Sequence, residues 1–399
     1  MSATDIYRLT KPTDWAGVPT SFSYSSLTNI ERCPFQWQLI NSKYGVFSRF
    51  PSRPHPAAAE GDIVHQVLDD LFRTLALNGL PAFGTPEFRQ CVTAVDVRGS
   101  VAKLVLEHER LIAEHPRGGS RRLRAGVQQL ANQVIRLFRT QYAQTTPGGF
   151  SRVASSQHLY KTAGVPSGKA LFDLLAGRGA LSELPLSHPQ LPFSGIVDLI
   201  RLDGGEIVIV DFKTGVRREE HRKQVTLYAV LWWRCSGTSV RRCQVSYPSE
   251  VQIIELTERD LISAEKSLTK RINEAQATLS SPSAKAVTGD HCTFCDVRQF
   301  CQAYWSKRAL PAKRKSAISE NQTIDIELVV SSEPSPNGFE AKAINGSVFT
   351  VVFQQTEVKM HGPFQLGERL RVLRGALGGQ NGEIQLKNWT EVFHCGSAH

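Results

Sequence analysis

Two aspartates and a lysine occupy positions from which one strand pair would bring them together. Asp198 ends the stretch Gly-Ile-Val-Asp, and Asp211 and Lys213 belong to the later stretch Asp-Phe-Lys-Thr-Gly. Between them lies Gly204-Gly205, a dipeptide typical of a two-residue type I′ hairpin turn. Pairing around this turn places the two aspartates opposite each other. Because side chains alternate along a strand, Lys213 shares their face of the sheet.

This arrangement predicts a metal site. Two carboxylates at cross-strand distance repel each other unless a cation lies between them. Mg²⁺ and Mn²⁺ prefer oxygen ligands and are the expected ions. A lysine beside such an ion can orient the attacking water and stabilise charge that develops on a phosphate. The alternative is an ordinary salt bridge between strands at the surface.

The charge of the chain also indicates a polyanionic partner. The sequence has 399 residues and a net charge of +10, from 47 Lys+Arg and 37 Asp+Glu. The last 80 residues, from Glu320, carry 6 basic and 9 acidic groups, so the first 319 carry 41 and 28. The excess of +13 in the first part suits binding of nucleic acid. Composition excludes disordered, collagenous and coiled-coil classes.

The predicted elements divide the chain into an α/β part and a β part. Apolar periodicity predicts helices over about 57–145, and the catalytic hairpin spans 194–215. A helix over Ser21 to Tyr44 is expected, with Ser25 or Ser26 as its N-cap. One face of the hairpin is apolar and requires helices against it. Its residues are Val197, Leu199, Val208, Val210 and Phe212.

A small barrel is expected at the C-terminal end. Short alternating runs with regular turns over 323–399 predict an all-β barrel, with an oligonucleotide-binding (OB) barrel as the leading candidate. The stretch 307–322 is rich in Lys, Arg and Pro and is predicted to be a basic linker after a domain over 1–306. The aromatic residues Phe349, Phe353 and Trp389 either stack on a single strand or form the barrel core. A protein partner is the other possibility for the barrel.

Four motifs together resemble the PD-(D/E)XK nuclease superfamily, and more closely its RecB/AddB-like branch, which includes the CRISPR-adaptation exonucleases. In order along the chain they are Gly61 to His65, Gly195 to Asp198, Asp211 to Gly215, and Gln224 to Tyr228. The resemblance covers about residues 20–305. It implies a restriction-endonuclease-like α/β core with helical insertions.

The resemblance also implies roles for individual residues. His65, Asp198 and Asp211 would bind Mg²⁺ or Mn²⁺, together with the backbone carbonyl of Phe212. Glu183 is a looser match to an extra acidic ligand. Gln224 and Tyr228 are four residues apart and share a helix face. They would position groups in the active site, whereas a helix-packing pair is the structural alternative.

Four of the eight cysteines are candidates for a metal centre. Cys292, Cys295 and Cys301 form a tight cluster, and Cys33 begins a Cys-Pro turn far upstream. The chain shows no secretion signal, so disulfides are not expected. By the same resemblance these four thiolates would hold a 4Fe–4S cluster. Zinc can use the same four ligands.

The function predicted from these features is that of a metal-dependent DNA nuclease, most simply an exonuclease on single-stranded or end-containing DNA, in repair, recombination or phage defence. An endonuclease of a defence or CRISPR-adaptation system is one alternative, and a catalytically inactive DNA-binding scaffold is another. Because the sequence has no Walker A motif, the protein is expected either to act alone or to join a helicase or defence-complex protein in trans. A cytoplasmic location without membrane attachment is expected.

Overall fold

Helices and two β-sheets make up the chain in the computed structural model, which describes residues 3–9, 11–119, 121–143, 165–280, 284–307, 323–354, 362–378 and 382–397. The α-helices in these ranges are α1 (Tyr24–Arg32), α2 (Pro34–Asn41), α3 (Pro56–Leu77), α4 (Pro86–Val95), α5 (Val97–Glu114), α6 (Val127–Tyr142), α7 (Lys169–Arg178), α8 (Glu219–Ser236), α9 (Glu258–Leu279) and α10 (Gln302–Lys307).

The strands fall into two groups. Those of the first sheet are β1 (Ala180–Ser187), β2 (Ser194–Asp203), β3 (Glu206–Phe212), β4 (Arg242–Ser246) and β5 (Val251–Glu255). Those of the second are β6 (Thr323–Val330), β7 (Gly338–Ala343), β8 (Val348–Val352), β9 (Glu368–Leu377), β10 (Glu383–Gln385) and β11 (Glu391–Ser397). No helix among the described residues is long and apolar enough to cross a membrane.

The first sheet contains the predicted hairpin in the predicted register. Its strands follow the order β1-β2-β3-β4-β5, and only the β3–β4 pair is parallel. Gly204 and Gly205 have φ of 58° and 87°, as a type I′ turn requires. Asp203 then pairs with Glu206, and the ladder runs to Leu199 and Val210. The turn residues therefore set the register that brings the two aspartates near each other.

Helices cover both faces of this sheet. On one face Leu199, Val208, Val210 and Phe212 share a buried core with α3 and α6, as the apolar pattern predicts. The prediction for Val197 is wrong, because this residue packs in the core on the other face, with α8 and α9.

The reason is a change in side-chain alternation at one point in two neighbouring strands. Leu181 and Leu184 of β1 pair with Ile200 and Val197 of β2, and all four belong to one core. A spacing of three between core residues breaks the period of two in both strands. Glu183, which lies between the two leucines, has a φ of +46°. The left-handed backbone at this position therefore accompanies the switch.

The N-terminal helix differs from its prediction. Two helices replace one, because Pro34 begins α2 and Cys33 between them has an extended backbone, with φ of −161°. Ser23, rather than Ser25 or Ser26, is the N-cap of α1 and accepts a hydrogen bond from the Ser26 N–H. The break places the Cys33 thiol at the start of α2, where it accepts a hydrogen bond from Gln36.

The C-terminal strands form the expected barrel. Five strands close in the order β6-β7-β8-β10-β9, and β9 pairs back with β6. The β8–β10 pair is parallel, and β11 extends the sheet by pairing with β9. Of the predicted linker over 307–322, Lys307 ends α10 and the rest lies outside the described residues.

A shared core joins the barrel to the rest of the chain. Leu373 of β9 and Phe393 of β11 are buried in one cluster with Tyr7, Phe50 and Trp305. This cluster also includes Cys295 and Cys301. The barrel therefore packs directly beside the cysteine-containing segment.

Candidate active site

Asp198 lies between a histidine and a backbone amide. Its Oδ2 accepts a hydrogen bond from the Phe212 N–H at 2.7 Å and lies 3.6 Å from Nδ1 of His65. The other ring nitrogen of His65 is 3.0 Å from the Phe212 carbonyl oxygen. His65 comes from α3, whose apolar stripe packs on the sheet, so the helix carries the imidazole to the end of β3. Three of the predicted metal ligands are thus brought together.

Asp211 and Lys213 form an ion pair beside this group. The Lys213 ammonium donates to Asp211 Oδ1 at 2.9 Å and lies 2.8 Å from Oδ2. Asp211 is fully buried, and the Lys213 ammonium faces both of its carboxylate oxygens. Burial raises the pKa of Asp211, Lys213 opposes this effect and Asp198 adds to it, and the resulting pKa is about 7. A carboxylate oxygen of this kind can accept a cation.

Glu183 joins the site through the irregularity in β1. A ligand atom from each of His65, Glu183 and Asp198 can lie within 4.8 Å of the others. Burial, Asp198 and Asp69 together raise the pKa of Glu183 to about 8. The loosely matched residue is therefore a direct neighbour of Asp198. Its charged form is disfavoured until a cation offsets the repulsion.

Gln224 and Tyr228 lie on α8 and face the carboxylates. The Gln224 amide donates to the Tyr228 hydroxyl at 2.7 Å. Burial, followed by Asp211 and Asp198, raises the pKa of Tyr228, so the phenol stays protonated. A Cβ on Gly195 would lie 2.8 Å from the Tyr228 ring. The glycine before Asp198 therefore leaves room for this tyrosine.

Two residues of this region escape the motif reasoning. His221 and Tyr247 share a contact of 2.8 Å between the imidazole Nδ1 and the phenol oxygen. Burial and the nearby Lys213 lower the pKa of His221. His221 lies three residues before Gln224 on α8, and this helical spacing is the signal that could have found it. Tyr247 follows β4 and has no such signal in the sequence.

The donor set fits a hard divalent ion. Ligand atoms of His65, Glu183 and Asp198 lie within 4.8 Å of one another, and the Phe212 carbonyl oxygen lies 3.0 Å from His65. The Asp211 carboxylate lies near Asp198 and is paired with Lys213. Oxygen-rich sites of this composition suit Mg²⁺ and Mn²⁺.

The four predicted cysteines also converge. Cys33, Cys292, Cys295 and Cys301 line one small cavity near the start of α2. Backbone N–H groups of Gln36 and Val287 donate to the Cys33 sulfur at 3.4 and 3.5 Å, and Gly289 donates to the Cys292 sulfur at 3.4 Å. The structure therefore gathers thiols from segments that are far apart in the sequence.

This combination of a hairpin, a histidine on a helix and a lysine paired with a buried carboxylate is that of a nuclease fold. The chain belongs to the PD-(D/E)XK nuclease superfamily, whose model matches residues 21–302. The match includes the motifs from Gly61 to Tyr228 and all four clustered cysteines, and it ends before the barrel.

The chain is only weakly similar to individual solved structures. No curated protein matches the chain. A Eubacterium rectale structure named "Putative exonuclease" is 11% identical, with a TM-score of 0.35, covering 75% of this chain and 91% of that one. The structure of SSO0001 is 19% identical, with a TM-score of 0.20, covering 34% of this chain and 66% of that one. The tetrameric p202 HIN2 structure is 13% identical, with a TM-score of 0.17, covering 19% of this chain and 43% of that one. The chain spans about half the length of the first structures it matches.

Proposed function

We propose that the chain is a deoxyribonuclease that requires Mg²⁺ or Mn²⁺ and hydrolyses phosphodiester bonds at the site around Asp198. The observation that carries this proposal is the crowding of His65, Glu183 and Asp198, whose ligand atoms lie within 4.8 Å of one another, beside the buried Asp211 and its ion pair with Lys213. A divalent ion would supply Lewis-acid stabilisation of the phosphate there. The nuclease superfamily of the chain agrees with this chemistry.

Each residue then has a role of its own. His65, Asp198, Asp211 and the Phe212 carbonyl hold the ion, and Glu183 adds a further carboxylate. Burial lowers the pKa of Lys213, whereas the Asp211 and Asp198 carboxylates raise it. The net result is a pKa above the usual value for lysine. Lys213 therefore stays charged and can orient the attacking water and stabilise a pentavalent phosphate. Gln224 holds the Tyr228 hydroxyl toward the same space.

The proposed substrate is single-stranded or end-containing DNA, with a role in repair, recombination or phage defence beside a motor or defence protein. The excess of +13 before Glu320 supports an attraction to phosphate. An end-labelled linear DNA and a closed circular DNA of the same sequence separate the possible modes of cleavage. Loss of the linear substrate alone supports an exonuclease, and nicking of the circle supports an endonuclease.

The test of the site itself uses Lys213→Ala and Asp198→Ala, with Lys266→Ala as a control for an exposed lysine of α9. With Mg²⁺ or Mn²⁺ present, we expect the first two to lose about 10²-fold or more of the cleavage rate, because each removes a charged group at the reacting phosphate. The control should cleave at the wild-type rate. Cleavage that survives both site substitutions would place the reaction elsewhere. A wild type that is inactive with both ions would instead support the alternative of a catalytically inactive DNA-binding scaffold.

We also propose a 4Fe–4S cluster on Cys33, Cys292, Cys295 and Cys301. Tetrahedral zinc, with Zn–S bonds of about 2.3 Å, would bring its thiolates to within roughly 4 Å of one another. Among the described residues, three ligand atoms approach to within 4.8 Å only at His65, Glu183 and Asp198. The thiols are thus spaced more openly than a single ion requires, which favours the larger cluster. The N–H groups that point at two of the sulfurs suit thiolates.

The barrel is proposed to be OB-like. The closed order β6-β7-β8-β10-β9, with a parallel β8–β10 pair, supports this assignment as a five-stranded Greek-key barrel. Of the aromatic residues considered as a binding surface, Phe353 is buried and Phe349 packs against the barrel core. Trp389 is 40% exposed.

A further inference from the structure

A groove opens on the barrel beside its exposed tryptophan. It encloses about 650 Å³ between the end of β8 and the segment that follows β10. Apolar walls come from Val352, Phe353 and Leu386, and Trp389 forms one side. Polar groups of Gln354, Gln385, Lys387 and Asn388 complete the lining. A flat aromatic surface with amides and a cation next to it matches the way proteins hold an unpaired base and its phosphate.

A loop of the nuclease domain touches this groove. A Cβ on Gly119, which has a φ of +56°, would lie 2.7 Å from the Asn388 carbonyl oxygen. The loop residues Arg121, Arg122 and Arg124 follow, and the last two are exposed. Ion pairs with carboxylates are absent for all three arginines within the described part of the chain. Arg121 and Arg122 donate instead to backbone carbonyl oxygens, which leaves the positive charge of the loop without a neutralising carboxylate among these residues.

The same loop leads to the active site. The Glu60 carboxylate on α3 accepts hydrogen bonds from the backbone N–H groups of Arg124 and Ala125, at 3.0 Å for the latter. The next residue is Gly61, where a Cβ would be 3.5 Å from the Thr214 hydroxyl. Thr214 directly follows Lys213. Contacts thus link the groove to the arginine loop, and the arginine loop to the segment that carries Lys213.

The charge around the groove favours an anion although the barrel as a whole is acidic. Arg374 lies behind Trp389 and donates to its carbonyl oxygen, and the buried Arg374 Nε has no acceptor among the described residues. Burial, Arg121 and Arg298 lower the pKa of Arg374, whereas Glu391 and Asp325 oppose them. Glu383, the acidic residue beside the groove, accepts a hydrogen bond from Gln385 at 2.6 Å.

We propose that this groove binds single-stranded DNA and that the loop with Arg122 and Arg124 carries the strand from the groove to the active site. Trp389 stacks on a base, while Lys387 and the loop arginines contact phosphates. This inference rests on the proposed nuclease function for its substrate class. Binding in the absence of a divalent ion tests it separately from cleavage.

The experiment measures fluorescence anisotropy of labelled oligothymidine in EDTA, with chains of about 20 and about 4 nucleotides, the latter at the lower limit of single-barrel site sizes. We expect Trp389→Ala to weaken binding of the long chain about tenfold, as the loss of one base stack would. Arg122→Glu with Arg124→Glu should weaken it further. The slope of log K against log salt should fall by about one for each phosphate that these arginines no longer bind.

Matched controls are Trp15→Ala, another exposed tryptophan, and Arg98→Glu on α5, which should bind like wild type. With Mg²⁺ or Mn²⁺ added, the groove variants should cleave the long chain more slowly but the short chain at the wild-type rate. Unchanged binding of the long chain by the groove variants would overturn the inference, as would an equal loss on both lengths. A wild type that binds through Trp389 but cleaves neither chain would overturn only the nuclease function.

Discussion

Glu391 of the barrel and Arg117 of the helical part form a buried bidentate ion pair. The guanidinium donates through Nε at 2.7 Å to one carboxylate oxygen and through a terminal nitrogen at 3.1 Å to the other. Arg53 donates to the same carboxylate at 2.9 Å. Both arginines also reach the cysteine segment, at the carbonyl oxygens of Asp296 and Cys295. One barrel carboxylate therefore anchors the helical part and the cysteine loop together.

Replacing Glu391 should destabilise the whole assembly. Glu391→Gln leaves the fully buried Arg117 without its counter-charge, and breaking a buried pair in this way costs about 3–5 kcal/mol of unfolding free energy. Denaturant unfolding followed by circular dichroism measures the loss. Glu340→Gln, at an exposed glutamate of β7, is the control and should stay within about 0.5 kcal/mol of wild type. Equal stability of the two variants would contradict the role given to the pair.

The lowered pKa of Glu391 predicts that the free energy of unfolding depends on pH in the acid range. Burial alone would raise the pKa of Glu391, but Arg117 and Arg53 outweigh it and lower the pKa to about 2. A depressed pKa adds stability above the usual glutamate pKa, and this contribution is lost as the pH falls from about 4.5 toward 2. The difference in unfolding free energy between wild type and Glu391→Gln should therefore shrink over that window. A constant difference would show that the charge of Glu391 does not matter.

Gly195→Ala should disturb the site without changing any charged group. The new Cβ would lie 2.8 Å from the Tyr228 ring, so the tyrosine must move away from the carboxylates. We expect DNA cleavage to fall by about 10- to 100-fold, as misplacement by about an ångström can cause, and stability to fall by about 1–3 kcal/mol. Gly17→Ala is the control, because nothing lies within 4 Å of its added Cβ. If Gly195→Ala cleaves DNA at the wild-type rate, the position of Tyr228 does not matter for the reaction.

Glu183→Gln tests whether this residue is a ligand. If its carboxylate helps to hold the ion, calorimetric titration with Mn²⁺ should show an affinity at least about tenfold weaker, because ligand charge sets the strength of such sites. Asp69→Asn is the matched control, since Asp69 also lies near Glu183 and its carboxylate accepts the Ser182 hydroxyl at 2.5 Å. Similar affinities for Glu183→Gln and wild type would leave His65, Asp198 and Asp211 as the ligand set.

The cysteine centre can be tested by colour and metal content. A 4Fe–4S protein purified in air should be brown, with absorption near about 400 nm, and Cys33→Ser should lose both colour and iron. Cys395→Ser, at a half-buried thiol of β11, should keep them. If the wild type is colourless, contains one equivalent of zinc and is fully active, the four cysteines bind zinc rather than an iron–sulfur cluster.

Much of the site could be predicted because its information is local. Gly204-Gly205 selects the turn, and the turn sets a register in which Asp198 and Asp211 lie close together, although alternation breaks in β2 between Val197 and Leu199. The four-residue spacing of Gln224 and Tyr228 acts in the same way on a helix. Such patterns depend only on backbone geometry within one hairpin or one helix turn, so they can be predicted from the sequence.

Other features depend on contacts between distant segments. The sequence determined the hairpin, the helical and β-rich regions, and which cysteines could share a metal. Only the tertiary structure decided that Glu183 stands beside Asp198, since this follows from a left-handed residue in a neighbouring strand. The same is true of the buried Arg117–Glu391 pair and of the groove at Trp389. Burial and long-range packing have no period along the chain, and they decide which charged and aromatic side chains meet.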